Sequence, residues 1–424
     1  MEEFKNKETY LSELKKRAVL PEGFKTSISA IEFYPEERDT DIPMKMNLTL
    51  IELDEPTDIF AGVFTKNAFP GYPVLIGREL LKEEKISGVL INNRISNVRC
   101  ADGRETALKI TGELKQLRNS PHPYFPSSTG IIGWKLPEKE ICENLKPLVE
   151  NLERTDLYNA AQAIMTTDAY PKLRSVEIDG GRICAIAKGA GMIEPNMATM
   201  LVFIFTDLKI EREELRTLFP KVISKTFNCI SIDSDQSTSD TALIFSSGKK
   251  ECSSVENFSK ALYSLCSSLS EDIVRNGEGT SHLIRVKVSE AKTETEAAAV
   301  GKALVNSPLT KTAIFGNDPN VGRFIQAMGS YLGKNDVEID PGKVKISIGD
   351  QIVYEKGVFT LDADKEKKLS NYMKDCSFVN NEGFPPHDRS VDLFVSLGRG
   401  SAESQILGSD LTYGYVRENA DNRT

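Results

Sequence analysis

Hydrophobic and polar positions alternate or recur at helical spacing along most of this chain, and they predict its elements. Met46–Leu53 alternates and reads as a strand, and Ile59–Thr65 and Gly88–Ile91 read as two more. Ala107–Leu117 has helical spacing, as do Ile141–Leu152 and Leu157–Met165. Asn119–Pro126 is proline-rich and reads as a loop. Ser175–Ile186 predicts a hairpin turning at Asp179-Gly180-Gly181. A glycine- and proline-containing loop, 188–198, then leads into the unbroken apolar run 200–205, which suits a strand buried on both faces. Phe258, Leu262, Leu265, Leu269 and Ile273 mark one face of a helix that stops at 276–279. Thr293–Leu304 reads as another helix, and Asp318-Pro319 as the N-cap and first residue of a third. Val337–Tyr354 predicts a hairpin turning at 340–342, and Val391–Leu397 a late strand. The first ~35 residues are charged with weak periodicity. Loosely alternating strands and helices with frequent hairpins predict mixed α/β layers, not a doubly wound parallel sheet.

Composition narrows the class. With 424 residues, 40% hydrophobic and 27% charged, the chain can build a large core, as two domains or one domain with a large lobe. A net charge of −9 with no basic stripe speaks against a nucleic-acid partner. The longest apolar run is too short for a bilayer, so no membrane partner is expected. The N-terminus has no apolar core of a signal peptide. The seven cysteines include no C-x-x-C pair, which fits reduced thiols in a cytoplasm better than a disulfide framework or a zinc site.

Chemistry must come from elsewhere than histidine. His122, His282 and His387 are the only three, and none lies at metal-ligand spacing, so no metal is expected. No G-x-S-x-G elbow or G-x-x-x-x-G-K-[ST] loop is present. A histidine-poor enzyme can use the α-amine released by cutting the chain before a Thr, Ser or Cys. Ala198-Thr199 is one such place, a loop followed by a buried strand. By spacing alone, the favoured reading of Thr199 is an ordinary first residue of a strand.

The stretch 188–201, Lys-Gly-Ala-Gly-Met-Ile-Glu-Pro-Asn-Met-Ala-Thr-Met-Leu, resembles the self-cleavage signature of the ornithine acetyltransferases, also called glutamate N-acetyltransferases. Further blocks follow that family's order: 128–133, Ala163-Ile-Met-Thr-Thr-Asp168, 233–240, 274–279, 306–313, 316–323 and the ending 415–424. The resemblance implies a layered α/β sandwich with a smaller C-terminal α/β domain, about 285–424. It implies cleavage between Ala198 and Thr199 into an α chain, 1–198, and a β chain, 199–424, that stay together, with a paired heterotetramer as the family expectation. Thr199 would be the nucleophile for cleavage and for acetyl transfer from N2-acetylornithine to glutamate in arginine biosynthesis. Thr129 and Gly130 match the oxyanion-hole pair. Thr166, Lys188, Thr199, Glu278, Asn419 and Thr424 match substrate-binding positions, with Lys188 suited to a substrate carboxylate and Glu278 to the ornithine ammonium. Binding roles at Asn419 and Thr424 imply that the C-terminus folds back into the site. No cofactor is expected; acetyl-CoA is the co-substrate left open, because some family members use it. Two other classes remain: an N-terminal-nucleophile amidohydrolase or aminopeptidase of related fold, and an inactive paralogue.

The chain departs from the family at several points. The usual Asn-Ser-Gly-Asn-Ala-Asn-Ala is Asn92-Asn-Arg-Ile-Ser-Asn-Val98, and losing its glycine predicts that no positive φ is needed there. Ala190, Ser234, Val321 and His282 stand where Ser, Gly, Trp and Lys are usual. None removes the nucleophile, the oxyanion pair or a matched binding residue. An active, self-processed enzyme is expected, with the divergent block bearing on its choice of donor or acceptor. Asp318 and Arg323 are explained by capping and surface pairing.

Overall fold

The computed structural model describes residues 4–153, 156–194, 200–378 and 383–421. Ala198, Thr199 and Thr424 lie outside the described residues.

Among the described residues three sheets form. The first, β1 (Phe24–Phe33), β2 (Met44–Thr57), β4 (Ile86–Asn92) and β5 (Tyr124–Ser128), is ordered β1-β2-β4-β5. The second holds β3 (Phe60–Phe64), β10 (Thr241–Glu251), β8 (Leu201–Lys209), β7 (Gly181–Lys188) and β6 (Lys172–Ile178), in that order.

Side-chain alternation stacks these two sheets. In β8, Leu201, Phe203 and Phe205 enter a core that also takes Ile51 and Leu53 of β2 and Phe125 of β5. The intervening Val202, Ile204 and Leu208 face a second core. That core is closed by α6 (Arg212–Lys225) and α7 (Val255–Arg275) through Phe219, Leu262, Leu269 and Ile273. The outer face of the first sheet, with Met46, Leu48, Leu50 and Leu90, is covered by α3 (Gly103–Leu117) and α4 (Glu138–Glu150). The result is helix, sheet, sheet, helix, a layered α/β sandwich. Phe205 stacks on Phe245 at 5.8 Å and meets Phe24 edge-on at 5.3 Å across the inter-sheet core, contacts worth about 0.5–1.5 kcal/mol each beyond area burial.

The third sheet is ordered β14-β13-β12-β15-β11-β16-β9. Its members are β9 (Ile230–Ser231), β11 (Leu283–Ala291), β12 (Lys345–Ile348), β13 (Gln351–Glu355), β14 (Val358–Phe359), β15 (Val391–Ser396) and β16 (Ala402–Ser409). It packs on α8 (Glu294–Asn306), α10 (Val321–Lys334) and α11 (Ala363–Asp375). The parallel pairing of β9 with β16 ties this sheet to the sandwich. The remaining helices are α1 (Lys7–Arg17), α2 (Tyr72–Leu80), α5 (Tyr158–Ala163), α9 (Pro308–Phe315) and α12 (Tyr413–Asp421).

Three sequence expectations need correction, and one stretch without an assignment gains its elements. Tyr124–Pro126 is strand, because β5 runs along a sheet edge, where a proline removes no ladder hydrogen bond the sheet needs. The third helix begins at Val321: Asn320 caps it by accepting the N–H of Arg323 at 3.2 Å, and Asp318 braces that cap by accepting from Asn320 Nδ2 at 3.0 Å. The hairpin turn lies at Gly349-Asp350, between Ile348 and Gln351, while Asp340 closes an earlier turn by accepting the N–H of Gly342 at 2.9 Å. The weakly periodic N-terminus holds α1 and β1, which bury Tyr10, Leu14, Phe24 and Ile31.

Candidate active site

Parallel strands β4 and β5 end side by side, Asn92 opposite Ser128, and the loops that follow them stay paired. Ser128 Oγ donates to Asn92 Oδ1 at 2.6 Å, and Asn92 Nδ2 donates to the Ile95 carbonyl at 2.8 Å. The N–H of Thr129 donates to the Asn92 carbonyl at 3.1 Å and that of Ile131 to the Arg94 carbonyl at 2.8 Å. Between them, the Gly130 N–H and the Thr129 hydroxyl have no protein acceptor among the described residues. Gly130 has φ 123°, and a Cβ there would collide with the backbone of Arg94. Two donors are thus fixed and unspent at one turn.

Asp168 joins two further segments. Its Oδ2 accepts the N–H of Thr166 and its Oδ1 that of Gly189, both at 2.9 Å, and it pairs with the ammonium of Lys172, also fully buried. Burial alone would raise its pKa; Lys172, Lys188 and the Gly189 N–H outweigh it and hold the carboxyl at about 2. Asn93 Nδ2 donates to the carbonyls of Ala163 (3.0 Å) and Met165 (2.9 Å), anchoring the same turn to the first sheet.

The loop after β7 is pinned residue by residue. Asp233 accepts from the N–H groups of Met192 at 2.6 Å and Ile193 at 2.7 Å, and its burial raises its pKa. Glu194 accepts from Ser231 Oγ at 3.1 Å and from Asn306 Nδ2, with Lys302 at 3.7 Å. The chain is therefore held up to the residue before Pro195. On the far side of Thr199, the carbonyl of Met200 accepts the N–H of Thr241 at 3.0 Å.

The last described helix, α12, packs back against the segment that carries Glu278. Thr412 Oγ1 donates to the Gly279 carbonyl at 2.6 Å, and Asn419 Nδ2 donates to Glu278 Oε2 at 2.9 Å. The Glu278 N–H in turn donates to the Ala190 carbonyl at 2.9 Å. Glu418 lies beside them, and burial, then the charge of Glu278, raises its pKa.

Thr129, Gly130, Thr166, Lys188, Glu278 and Asn419 all line one cavity of about 510 Å³, which also reaches Met200 and Leu201. That volume suits an amino-acid-sized ligand. A family model described as the ArgJ family matches residues 38–424.

The chain belongs to the ArgJ family. "Arginine biosynthesis bifunctional protein ArgJ 2" of Clostridium acetobutylicum is 36% identical over 362 residues, 85% of this chain and 89% of that protein. "Glutamate N-acetyltransferase" of Methanocaldococcus jannaschii is 37% identical over 394 residues, 88% of this chain and 93% of that protein. The crystal structure of "Arginine biosynthesis bifunctional protein argJ" from Bacillus halodurans aligns at 33% identity over 52% of this chain and 98% of that one, with a TM-score of 0.45.

This ArgJ-family cavity has lining residues that the sequence did not single out: Arg94, Glu418 and the 237–240 segment, which ends at the buried Asp240. A signal existed for each. Glu418 precedes Asn419, 237–240 closes the 233–240 block, and Arg94 sits in the divergent block. The expectation that this block needs no positive φ is wrong: Arg94 has φ 78°. The paired loops dictate that conformation whatever the side chain, at a cost of order 1–3 kcal/mol for a residue other than glycine. His282 is a core residue, its Nδ1 at 2.8 Å from Asp410 Oδ2 and its Nε2 at 3.2 Å from the Met373 carbonyl. Arg323 donates to the Leu309 carbonyl at 3.1 Å, as a structural pairing residue would. Among the described residues no His, Cys, Asp and Glu cluster could hold a metal.

Proposed function

We propose that this protein is a glutamate N-acetyltransferase that moves the acetyl group of N2-acetylornithine to glutamate in two displacements, as a step of arginine biosynthesis. The observation that carries this is the cavity beside Met200, where six matched residues from five separate stretches of an ArgJ-family chain meet.

In the proposed course, the Thr199 hydroxyl first attacks the Ala198 carbonyl; the Ala198–Thr199 C–N bond breaks, its nitrogen takes the hydroxyl proton, and water hydrolyses the resulting ester, leaving a carboxylate at Ala198 and a free hydroxyl and α-amine at Thr199. That amine then accepts the hydroxyl proton as the hydroxyl oxygen attacks the acetyl carbonyl of N2-acetylornithine. The Thr129 hydroxyl and Gly130 N–H donate to the oxyanion, an arrangement in which one donor is worth ~3 kcal/mol. The C–N bond breaks, the proton passes to the leaving amine, and ornithine departs. The α-amine of glutamate attacks the acetyl-threonine ester and regenerates Thr199. Lys188 holds the α-carboxylate of either amino acid, with Thr166, Asn419 and Thr424 as further binding residues. Glu278 takes the ornithine ammonium.

The reading needs no metal or nucleotide, and acetyl-CoA enters only as an alternative acetyl donor. It places the enzyme in the cytoplasm, as two pairs of α and β chains. All seven cysteines are free, and no helix among the described residues is long and apolar enough to cross a membrane.

Two measurements test it. The purified protein should give two bands on a denaturing gel, with intact masses matching 1–198 and 199–424, and Thr199→Ala should give one. Ornithine release from N2-acetylornithine should accelerate when glutamate is added. An uncut, fully active protein overturns the nucleophile assignment, and release indifferent to glutamate would make the enzyme a hydrolase.

A further inference from the structure

The two amino acids of the proposed reaction have side chains of opposite charge, yet both must enter one cavity. Glu278 and Glu418 suit the cationic one and repel the anionic one. Glutamate carries two carboxylates, so it needs two cations to balance that repulsion. Among the described lining residues the cations are Lys188 and Arg94.

Arg94 is built for such contact. Its backbone packs on Gly130, so it borders the turn that holds the two unspent donors. Arg94 is exposed at the cavity wall, and its Nε donates to the Lys45 carbonyl at 3.2 Å, which orients the guanidinium from one side. The two terminal nitrogens have no protein acceptor among the described residues. A planar, anchored guanidinium with two free N–H-bearing nitrogens matches a carboxylate in bidentate geometry. It is presented from a left-handed backbone position, φ 78°, that glycine would occupy without strain. A strained residue with an unspent charge on a cavity wall is where a binding role is expected.

We propose that Arg94 is the acceptor-specificity residue: it binds the side-chain carboxylate of glutamate in the second displacement, while Glu278 and Glu418 serve the ornithine ammonium in the first. This rests on the acetyltransferase reading above. Lys188, common to both substrates, holds the α-carboxylate in each half-reaction, and the side chain selects its own end of the cavity.

The test uses the full-length enzyme with Arg94→Gly and Arg94→Lys, and separates the half-reactions. Glycine suits the backbone, so Arg94→Gly should fold with an equal or higher melting midpoint. Its KM for N2-acetylornithine should stay within about twofold of the parent, while its KM for glutamate rises roughly 10- to 100-fold, the loss of a charge-assisted bidentate contact. Its preference for glutamate over glutamine as acceptor should collapse, and Arg94→Lys should recover part of both. An unchanged glutamate KM overturns the proposal, as does an equal rise in both KM values. Failure of the underlying reading shows in the parent enzyme, as ornithine release that ignores glutamate, and that result removes the proposal with it. Failure of the Arg94 assignment alone shows only in the variants.

Discussion

Oδ1 of Asp168 accepts the N–H of Gly189 at 2.9 Å, and so fastens the first residue after Lys188 to the turn that carries Thr166. Two cavity-lining segments are thereby set by one buried carboxylate, which must stay ionised. Its pKa of about 2 lies below the ordinary 3.8, so it stabilises the fold above pH 4 and that contribution fades as pH falls toward 2. The loss is roughly 2 kcal/mol. Asp168→Asn strands the Lys172 ammonium in the core and should cost about 3–5 kcal/mol at neutral pH. Urea unfolding across pH 2–7 checks both: the acid-linked loss should be smaller in the variant by about the amount given.

Gly191→Ala should act through Glu278. A Cβ at 191 would collide with the Glu278 carboxylate and push it away from Asn419. The expected result is a KM for N2-acetylornithine raised about tenfold, with the glutamate KM nearly unchanged. A parallel rise in both would show that the alanine displaces the whole loop.

Thr129→Ala removes one of the two donors at the Gly130 turn. Steady-state kinetics should show kcat reduced roughly a hundredfold with KM little altered, since an oxyanion donor acts in the transition state. Thr129→Ser should keep most of the rate.

Glu418 should make cation binding depend on pH. Its pKa is raised by burial and by Glu278, so it takes up a proton as pH falls through that elevated value and loses its pull on an ammonium. Inhibition by ornithine should weaken as pH falls through that raised value, and Glu418→Gln should flatten that dependence. An identical pH profile in the variant would remove Glu418 from ammonium binding.

Much of the sandwich was legible because its strands carry their burial on their faces. The run 200–205 is apolar throughout, and β8 is packed on both sides. Asp179-Gly180 predicted the β6–β7 turn, and both residues have positive φ. The failures share a cause in tertiary context. Pro126 lies in a strand because that strand is an edge, and Asn320 displaces Asp318 as cap because Asp318 is used to brace it. The site residues were visible through resemblance and not through spacing, since Thr129 and Asn419 share no local pattern. The positive φ of Arg94 was missed because the φ of a residue between two paired loops is fixed by the partner loop, Gly130 included, and the local sequence does not contain that information.

The way the second sheet is assembled decides what a broken backbone could do to this molecule. β10, from the later half of the chain, is inserted between β3 and β8, and β7 is bonded to β8 with Lys188 opposite Leu201. A scission between Lys188 and Leu201 would cut a loop and leave both seams, β3 to β10 and β7 to β8, fully stitched. The fragments would survive dilution and part only when the sandwich itself is melted.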